Sequence, residues 1–541
     1  MPENALHEDI LLVLGLLFAM LLLVMLSQKL RISYPIFLVL AGLALSFIPG
    51  LPAITIDPDL IFLIFLPPLL YQAAWDTSWQ DFWRLRRPIA LLAFGLVFFT
   101  STIVAYVSRA MIPGFTLPLG FLLGGIISPP DAVAATSVLK GIKVPQRVSN
   151  VLEGESLIND ASSLIVFRFA LAAVLSGTFS LHQAATSFLL ASSMGLMTGL
   201  VVAYAFYLIH RYLPTTPSIN TVLTFIAPYV MYLLAEEFHF SGVLAVVSGG
   251  LFLSQRSHRV FDADTRLQAN SVWASVGFVL NGLVFILIGL ELPVAVEGLG
   301  TYSLSQAVTY GLIISAVIIL IRLLWMYPAA YLPRWLFRSV RNTEADPGWR
   351  GTLILGWAGM RGVVSLASAL SVPLLLSNGQ AFPQRNLILF ITFVVILVTL
   401  VFQGLTLPAI IRFTGIAEQQ EERMPTDAQE AGIRLRLRRV ALAHMEQHYV
   451  PDMQENELIK ALQQRMLAEA QRTGNLLEAL DYDETKRQAL QRYHQVLLDV
   501  LRVQREELFV LRREEVFEEE MLRHQEAQLD LDEAKISHMP H

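Results

Sequence analysis

The sequence contains no cysteine, and only 16% of its 541 residues are Asp, Glu, Lys or Arg. Without cysteine, neither a disulfide framework nor thiolate chemistry is available. Soluble domains carry about a quarter charged residues, so the low charge disfavours a soluble multidomain enzyme. A hydrophobic fraction of 54% excludes fibrous, disordered and nucleic-acid-binding classes for the bulk of the chain. What the sequence has instead is apolar runs, with a mean hydropathy of +0.54.

The few charges are distributed unevenly along the chain. Residues 1–413 hold 22 Lys and Arg against 19 Asp and Glu, which gives a net charge of +3. Residues 414–541 hold 17 against 26, which gives a net charge of −9. Only the first part is apolar enough for lipid. We therefore predict a transmembrane domain over 1–413 and a cytoplasmic helical regulatory tail over 414–541.

Long apolar stretches recur along the first part. A helix needs about 20 predominantly apolar residues to cross ~30 Å of hydrocarbon. By that criterion the sequence predicts an all-α membrane protein of about thirteen transmembrane helices, at roughly 9–27, 34–49, 59–75, 88–110, 117–139, 148–176, 183–211, 218–237, 241–255, 268–291, 302–330, 350–374 and 386–413. The first stretch follows an acidic start and does not resemble a cleaved signal peptide.

Basic residues are concentrated in every second loop. Seven alternate loops carry 17 Lys and Arg residues, whereas the other loops carry only Arg109 and Arg385. Because Lys and Arg favour cytoplasmic loops, we predict a multi-pass protein of the plasma (inner) membrane, with its N-terminus outside and its C-terminus in the cytoplasm. A miscounted helix would break this alternation, which supports the number thirteen.

The tail shows helical spacing of Leu, Val and Met around 428–447, 455–474 and 483–526. Its two apolar stripes comprise Leu458, Leu462 and Met466, and Leu497, Leu501, Leu508 and Leu511. Such stripes predict helices that pack on one another or a coiled-coil surface for a partner. The basic run Arg434, Arg436, Arg438 and Arg439 is consistent with contact to anionic lipid and equally with a solvated helix face. The ligand of the tail is not predicted.

Ionisable residues inside the predicted helices are costly, so each one is a candidate for function. The candidates are Asp131, Glu153, Glu155, Asp160, Arg168, Arg322 and Arg361. Asp160 lies about 18 Å into its helix at 1.5 Å per residue, near the middle of the membrane. Ser156 shares a helix face with Asp160, and together they offer hard oxygen ligands for a proton or a small alkali cation. The alternative is a polar patch satisfied by hydrogen bonds between helices.

Two stretches carry helix-breaking residues at their centres. The stretch 117–139 contains Pro129 and Pro130 directly before Asp131, and consecutive prolines lack the amide hydrogens that a helix needs. We expect the chain to unwind there, with Asp131 capping the second half-helix. The stretch 350–374 contains glycines on both sides of Arg361. Interrupted helices in both halves of a membrane protein indicate a transport site at the midplane, built from inverted repeats.

Four motifs in register resemble the sodium/proton exchangers of the cation:proton antiporter family, in the branch that carries an Asn-Asp pair. The motifs are Leu66-Pro67-Pro68, Ser128-Pro129-Pro130-Asp131-Ala132-Val133-Ala134, Glu153-Gly154-Glu155-Ser156-Leu157-Ile158-Asn159-Asp160 and Gly359-Met360-Arg361-Gly362. The resemblance extends over about residues 8–413 and leaves the tail out. It implies a thirteen-helix antiporter fold with a dimerisation domain and a mobile six-helix core, in which two broken helices cross beside the ion site.

The resemblance also implies roles for individual residues. Asp160 would bind either Na⁺ or H⁺, Ser156 would add a side-chain oxygen, and the unwound backbone at Pro130 would add a carbonyl. Asn159 and Asp131 would support this site through hydrogen bonds and through neutralisation of a helix end.

One residue departs from the family pattern, and one pairing is left open. Many members carry an acidic residue four positions beyond the second proline of the first motif, where this chain has Gln72. The choice among Na⁺, K⁺ and Li⁺ is therefore not predicted. Glu155 resembles a glutamate that pairs with a core arginine; Arg322 is the preferred partner, and Arg361 is the alternative.

Together these features predict a secondary active antiporter that exchanges Na⁺, or else Li⁺ or K⁺, for H⁺ by alternating access. One carboxylate holds either one cation or one proton, and Asn159 offers no second carboxylate, so we expect electroneutral one-for-one exchange. No cofactor, catalytic residue or nucleic acid is expected, because Na⁺ and H⁺ are the transported substrates. The expected partners are membrane lipid and, from the resemblance, a second copy in a homodimer.

Other classes of function are weighed against this one. A K⁺/H⁺ antiporter would use the same mechanism, and a transporter-like sensor would signal through the tail. A cation channel would also need midplane carboxylates, but it would need a continuous wet pathway. A membrane hydrolase is disfavoured because no predicted helix carries His-x-x-x-His spacing and His239 lies at a loop edge.

Overall fold

The computed structural model describes residues 3–48, 61–140, 142, 144–177, 181–299, 302–344, 346, 348–376, 379–416, 426–482, 484–514 and 519–537. The chain divides into two units, Met1–Ala417 and Glu418–His541. A few predicted positions lie outside the described residues, namely residue 49, residues 59–60 and Lys143.

The described part of the first unit consists of α-helices joined by short connections. They are α1 (Glu3–Leu30), α2 (Tyr34–Leu45), α3 (Leu66–Asp76), α4 (Trp79–Arg84), α5 (Arg86–Ala90), α6 (Val97–Met111), α7 (Leu117–Ile127), α8 (Ala132–Leu139), α9 (Gln146–Ser176), α10 (Leu181–Tyr212), α11 (Pro217–Glu237), α12 (Gly242–Val260), α13 (Ala263–Leu290), α14 (Leu292–Glu297), α15 (Leu304–Leu336), α16 (Arg338–Thr343), α17 (Trp349–Trp357), α18 (Val363–Leu370), α19 (Arg385–Val398) and α20 (Gly404–Thr414). Wider π-helical turns occupy Ile61–Phe65, Leu91–Leu96 and Thr399–Gln403.

Nine helices of the described part are long and apolar enough to cross a membrane. They coincide with nine of the predicted stretches, beginning with Ile10–Leu30 and ending with Arg385–Thr414. The prediction of an all-helical, multi-span membrane protein is confirmed. The four other stretches contain α2, α3, α12 and the α17–α18 pair, which are shorter or less apolar. That these four also cross the membrane stays a prediction.

Several long helices begin at a side chain that caps free amide groups. The first amides of a helix have no carbonyl partner within it, and a Ser, Thr or Asp oxygen supplies one. Ser303 at the start of α15 accepts from Gln306 N, while the Gln306 side chain accepts from Ser303 N, which makes a reciprocal capping box. The other caps of this kind are Thr116, Thr216, Ser241 and Asp262. These caps set where the spans start.

Both predicted interruptions are present. The helix ends at Ile127 and begins again at Ala132, because Pro129 and Pro130 cannot donate backbone hydrogen bonds. A second gap separates Trp357 from Val363, where Gly362 adopts a backbone conformation outside the helical range. Each of these stretches is therefore a pair of half-helices, α7 with α8 and α17 with α18.

Helix α9 lies between two apolar clusters of the first unit. Val148, Leu152 and Phe167 pack into a cluster that also gathers buried residues of α2, α7, α13 and α19. Leu157 and Ala161 pack into a second cluster, formed with α3, α11 and α12. The middle of α9, with the buried residues Glu155 and Asp160, is thus held between two packed groups of helices.

Glycines bring some helix backbones into direct contact. Gly42 of α2 and Gly289 of α13 face each other, and a Cβ atom on Gly289 would overlap the carbonyl oxygen of Val39. Gly124 of α7 meets the backbone of Ser101 in α6 in the same way. Small residues allow this approach in membrane proteins, where packing rather than the hydrophobic effect drives helix association.

The second unit is also helical in its described part. Its helices are α21 (Thr426–His448), α22 (Val450–Glu455), α23 (Glu457–Tyr482), α24 (Glu484–Glu514) and α25 (Glu519–Ser537). Arg505 of α24 pairs with Asp530 and Glu533 of α25. Of the two predicted stripes, the one containing Leu501 is covered, with Leu501 only 8% exposed. The other is open to solvent within this unit, since Leu458 is 80% and Leu462 50% exposed.

We expect Gly289→Ala to destabilise the protein by about 1–3 kcal/mol, because the new methyl group would force α2 and α13 apart. Gly15→Ala in α1 is the matched control, since nothing lies within 4 Å of a Cβ atom there. That control should be neutral or gain up to about 1 kcal/mol from helix propensity. The midpoint of thermal unfolding in detergent measures both variants, and equal midpoints would contradict the close contact.

Candidate functional site

The centre of α9 carries the largest group of buried polar residues among the predicted candidates. Asp160 lies near the middle of this 31-residue helix and is 7% exposed, while Asn159 is fully buried. Glu155 is 1% exposed and Ser156 is half-buried. A helix repeats every 3.6 residues, so residues 155, 156, 159 and 160 form one polar face.

The first interruption is fastened to this face by two hydrogen bonds. Asn159 Nδ2 donates to the carbonyl oxygen of Pro130 at 3.0 Å. Ser156 Oγ accepts from the amide of Ala132 at 3.2 Å. Both partners are backbone groups that the broken helix leaves without a helical bond, so α9 stabilises the unwound segment.

Asp131 caps the second half-helix, as the sequence predicts. Its Oδ1 accepts from the amide of Val133 at 2.8 Å, at the start of α8. Its own amide donates to the carbonyl oxygen of Met360 at 2.7 Å. Because Met360 lies in the second interruption, this bond joins the two broken helices directly. Gly362 lies against the Asp131 carboxylate, where a Cβ atom would overlap Oδ2.

Arg361 binds backbone groups. It is 1% exposed, and its Nε donates to the carbonyl oxygen of Ile127, the last residue of α7, at 2.9 Å. Its Nη1 donates to the carbonyl oxygen of Gly359. Carbonyls at a helix C-terminus carry partial negative charge, which a guanidinium neutralises. Arg361 therefore stabilises the broken end of α7 from the other interrupted helix.

Glu155 pairs with Arg322 of α15, the preferred of the two predicted partners. Arg322 Nη1 and Nη2 donate to the two carboxylate oxygens at 2.5 and 2.7 Å, and both side chains are 1% exposed. Arg322 Nε donates to the carbonyl oxygen of Leu355 in α17 at 3.2 Å. Such a two-pronged pair satisfies both charges away from water. Glu155 is thereby committed to holding three helices together.

The carboxylate of Asp160 differs from the other two. Within the described part of the chain, no side chain or amide donates a hydrogen bond to it and no cation pairs with it; only the backbone carbonyl of Asp160 accepts, from Ser163 Oγ. Asp131 is the charged group that acts on it, by repulsion. Asn159 Oδ1 is likewise buried without a donor among the described residues. A buried carboxylate without a partner favours binding a proton or a cation.

Gln72 lies at a different helix contact. It is half-buried in α3 and packs against Gly277 of α13, where a Cβ atom would overlap its side-chain amide. Two other predicted candidates lie outside the buried group: Arg168 pairs with Glu236 and is 44% exposed, and Glu153 is exposed.

Two uncharged residues of the last apolar stretch belong to the same network, and they are absent from the predicted set. Thr399 Oγ1 accepts from the amide of Arg361 at 3.1 Å. Gln403 Nε2 donates to the carbonyl oxygen of Trp357, the last residue of α17, at 2.8 Å. Both lie in the π-helical turn Thr399–Gln403. A search for ionisable residues passes over them; the signal that could have found them is a buried Gln in an apolar span.

Comparison with known proteins points to one family. The model of the family described as "Sodium/hydrogen exchanger, transmembrane" matches residues 15–413. A "Sodium, potassium, lithium and rubidium/H(+) antiporter" of Bacillus pumilus is 34% identical over 405 residues, which are 73% of this chain and 59% of that protein. The chain thus spans less than two thirds of the length of that relative.

Other relatives match over more of their length. An uncharacterized Na⁺/H⁺ exchanger of Mycobacterium tuberculosis is 31% identical over 99% of this chain and 97% of its own. The Na⁺/H⁺ antiporter ApNhaP of Aphanothece halophytica is 32% identical over 82% of each chain. Among solved structures, the sodium proton antiporter MjNhaP1 of Methanocaldococcus jannaschii has a TM-score of 0.58 at 21% identity, covering 74% of this chain and 99% of that one. This likeness shows a shared fold.

Replacing one member of the buried Glu155–Arg322 pair should lower the unfolding free energy more than replacing both. Glu155→Gln or Arg322→Gln strands one charge, and we expect a loss of about 3–5 kcal/mol in unfolding free energy. The double variant Glu155→Leu with Arg322→Met strands none and should lose less than either single change.

The exposed pair Arg168–Glu236 provides the matched control, because Arg168 is 44% exposed at an N–O distance of 2.6 Å. Arg168→Gln should cost at most about 1 kcal/mol. Unfolding in detergent, followed by tryptophan fluorescence, measures the series. A double variant as unstable as the sum of its singles would contradict the pairing.

Proposed function

Because the chain belongs to the sodium/hydrogen exchanger family, we propose that it exchanges Na⁺ for H⁺ across a membrane. The family consists of transporters, so the chain is a multi-pass membrane protein and not an enzyme. The observation that carries the proposal is Asp160, a buried carboxylate in the middle of α9 with no partner among the described residues. Intramembrane carboxylates of this kind mark ion and proton paths.

In the proposed site, Asp160 binds Na⁺ or H⁺ in turn. Ser156 Oγ and the Pro130 carbonyl supply neutral oxygens, and Asp131 adds negative charge at the start of α8. The hydrogen bonds of Ser156 to Ala132 N and of Asn159 to Pro130 O support this assignment, since they hold these oxygens on the polar face of α9. Both oxygens keep a second lone pair for a cation.

Exchange without leak requires that only one side of the membrane reaches Asp160 at a time. We propose that the exchanger domain has thirteen membrane crossings and inverted repeats, as in the sequence prediction. Within it, we propose that the group comprising α6–α9 and α15–α20 moves as a core. The bond from Asp131 N to Met360 O and the Glu155–Arg322 pair support this division, because they tie the two broken helices, α9 and α15 into one body. Alternating access then follows from rocking of that body.

We rank the candidate alkali cations by how strongly the comparisons support each one as a substrate. Na⁺ comes first, because the family description and the name of ApNhaP both state sodium. K⁺ and Li⁺ are further candidates, since the name of the Bacillus pumilus relative includes potassium and lithium. Gln72 favours no choice, because it packs against Gly277 and brings no charge to the site.

The remaining parts of the proposal concern the assembly. We propose that residues 1–413 are the exchanger domain and that 414–541 form a cytoplasmic regulatory tail. Two observations support this: the match to the family ends at residue 413, and the chain divides at Ala417. The alternation of 17 basic residues supports a cytoplasmic C-terminus in the plasma membrane. A homodimer is proposed by resemblance alone.

Asp160→Asn should abolish exchange while leaving the fold intact, because an amide neither ionises nor attracts a cation. Proteoliposomes with an internal pH dye measure the Na⁺-driven change in pH. Asp264→Asn, the same change at an exposed residue of α13, is the control and should keep full activity. Normal exchange by Asp160→Asn would end the assignment.

One-for-one exchange moves no net charge, so its rate should not respond to a membrane potential. We expect equal initial rates in proteoliposomes at zero potential and at a diffusion potential set with the permeant anion thiocyanate, in K⁺-free Na⁺ buffers of equal ionic strength. Asn159→Asp adds a second carboxylate and should introduce a dependence on potential. A wild-type rate that changes severalfold with the potential would rule out electroneutral stoichiometry.

A further inference from the structure

A cavity of about 50 Å³ opens at the end of the first unit where α9 begins and α15 ends. Its polar lining is largely basic, with Arg87 from α5, Arg147 from the start of α9, and Arg334 from α15. Apolar side chains complete it, among them Leu92 and Met326. All three arginines belong to the 17 basic residues predicted to face the cytoplasm.

Among the described residues, Glu344 is the one carboxylate that lines the cavity. Arg87 Nη2 pairs with Glu344 Oε2 at 3.0 Å, and Arg334 Nη1 donates to the backbone carbonyl of Glu344 at 2.8 Å. Three arginines and one glutamate therefore line the cavity, which leaves a net charge of +2.

Two N–H donors of the Arg87 guanidinium lack an acceptor among the described residues. Its Nε and Nη1 are buried, and neither has an acceptor among the described residues. The Arg87 side chain as a whole is 28% exposed, and a guanidinium ordinarily uses its N–H groups on a carboxylate or a phosphate. Glu344 accepts from Nη2, whereas the N–H groups of Nε and Nη1, which lie on different edges of the guanidinium, have no acceptor among the described residues.

We propose that this cavity binds the phosphate group of an anionic ligand, with Arg87 as its main contact and Arg147 and Arg334 adding charge. An arginine N–H group donates a charge-assisted hydrogen bond to a phosphate oxygen, and a negative charge balances the local excess. A lipid would place its headgroup there. Basic pockets between membrane helices at the cytoplasmic side are suited to lipid phosphates.

The bound anion would connect parts that are distant in sequence. Arg87 precedes the π-helical turn Leu91–Leu96, Arg147 opens α9, and Arg334 closes α15. One phosphate contacting them would hold the starts of two helices against the end of a third. This site is separate from Asp160, and its test does not depend on transport.

The experiment uses the delipidated full chain in a neutral detergent and follows thermal unfolding. One arm adds phosphatidylglycerol, with phosphatidylcholine as its neutral match, and the other adds inorganic phosphate against chloride at equal ionic strength. Ligands that bind the folded state raise the midpoint in a concentration-dependent way. A rise with phosphatidylglycerol alone identifies a lipid headgroup, and a rise with inorganic phosphate as well identifies a soluble phosphate as sufficient.

Variants decide whether the cavity is responsible. Arg87→Gln should weaken the apparent affinity about tenfold or more, because it removes charge-assisted hydrogen bonds. Glu344→Gln removes the competing carboxylate and should strengthen it. Arg338→Gln, at an exposed arginine outside the cavity, should leave it unchanged.

Three results would overturn the site. They are no rise with either ligand, an equal rise in wild type and Arg87→Gln, or a Glu344→Gln variant that binds no more tightly than wild type. The last comparison keeps the test decisive if Arg87→Gln does not fold.

Discussion

Everything around the candidate site follows from one constraint: inside a membrane, backbone groups and charges must find partners within the protein. Two interrupted helices release amides and carbonyls at the depth where water is scarce. The freed groups named above form hydrogen bonds with side chains from other helical segments. Arg361 donates to the carbonyl oxygen of Ile127, Asn159 donates to that of Pro130, and Gln403 donates to that of Trp357. These side chains stabilise the interruptions that prolines and glycines introduce.

The three buried acidic residues of the candidate site differ in whether they have partners. Glu155 is held by Arg322 on both carboxylate oxygens, and Asp131 is held by the start of α8. Each is committed to structure, because its removal would leave an arginine or a helix end unsatisfied. Asp160 has no such commitment among the described residues. The proposed role of Asp160 in taking and releasing an ion fits this difference, because a group with that role is not also needed to hold the fold together.

Much of this could be predicted from the sequence because its causes are local. Pro129 and Pro130 break a helix wherever they stand, and Asp131 after them is positioned to cap. The choice between Arg322 and Arg361 for Glu155 could not be predicted from spacing, since either arginine could approach after folding. Arg322 lies 167 residues from Glu155, and only the packing of α15 on α17 brings it there. Thr399 and Gln403 were not predicted for a related reason. An uncharged polar residue does not stand out in an apolar sequence, although its buried amide or hydroxyl must still be hydrogen-bonded.

The tail illustrates the same limit. Periodicity predicts which residues of a helix share a face, but not what covers that face. Leu501 is buried within its unit, whereas Leu458 lies on an equally regular stripe and is 80% exposed. Contacts between helices, such as the ion pairs of Arg505 with Asp530 and Glu533, join residues that no short window contains.

The buried charges of the core also bear on stoichiometry. Arg322 and Arg361 carry two positive charges, and Glu155, Asp131 and Asp160 carry three negative ones when each is ionised. The cluster is therefore one negative charge in excess, and a medium of low dielectric penalises any uncompensated charge. In the proposed mechanism, a single Na⁺ or a single H⁺ cancels the excess, whereas binding both or neither leaves the cluster charged. Neutrality of this cluster therefore supports the proposal of one-for-one exchange, and an aspartate at position 159 would add one more negative charge.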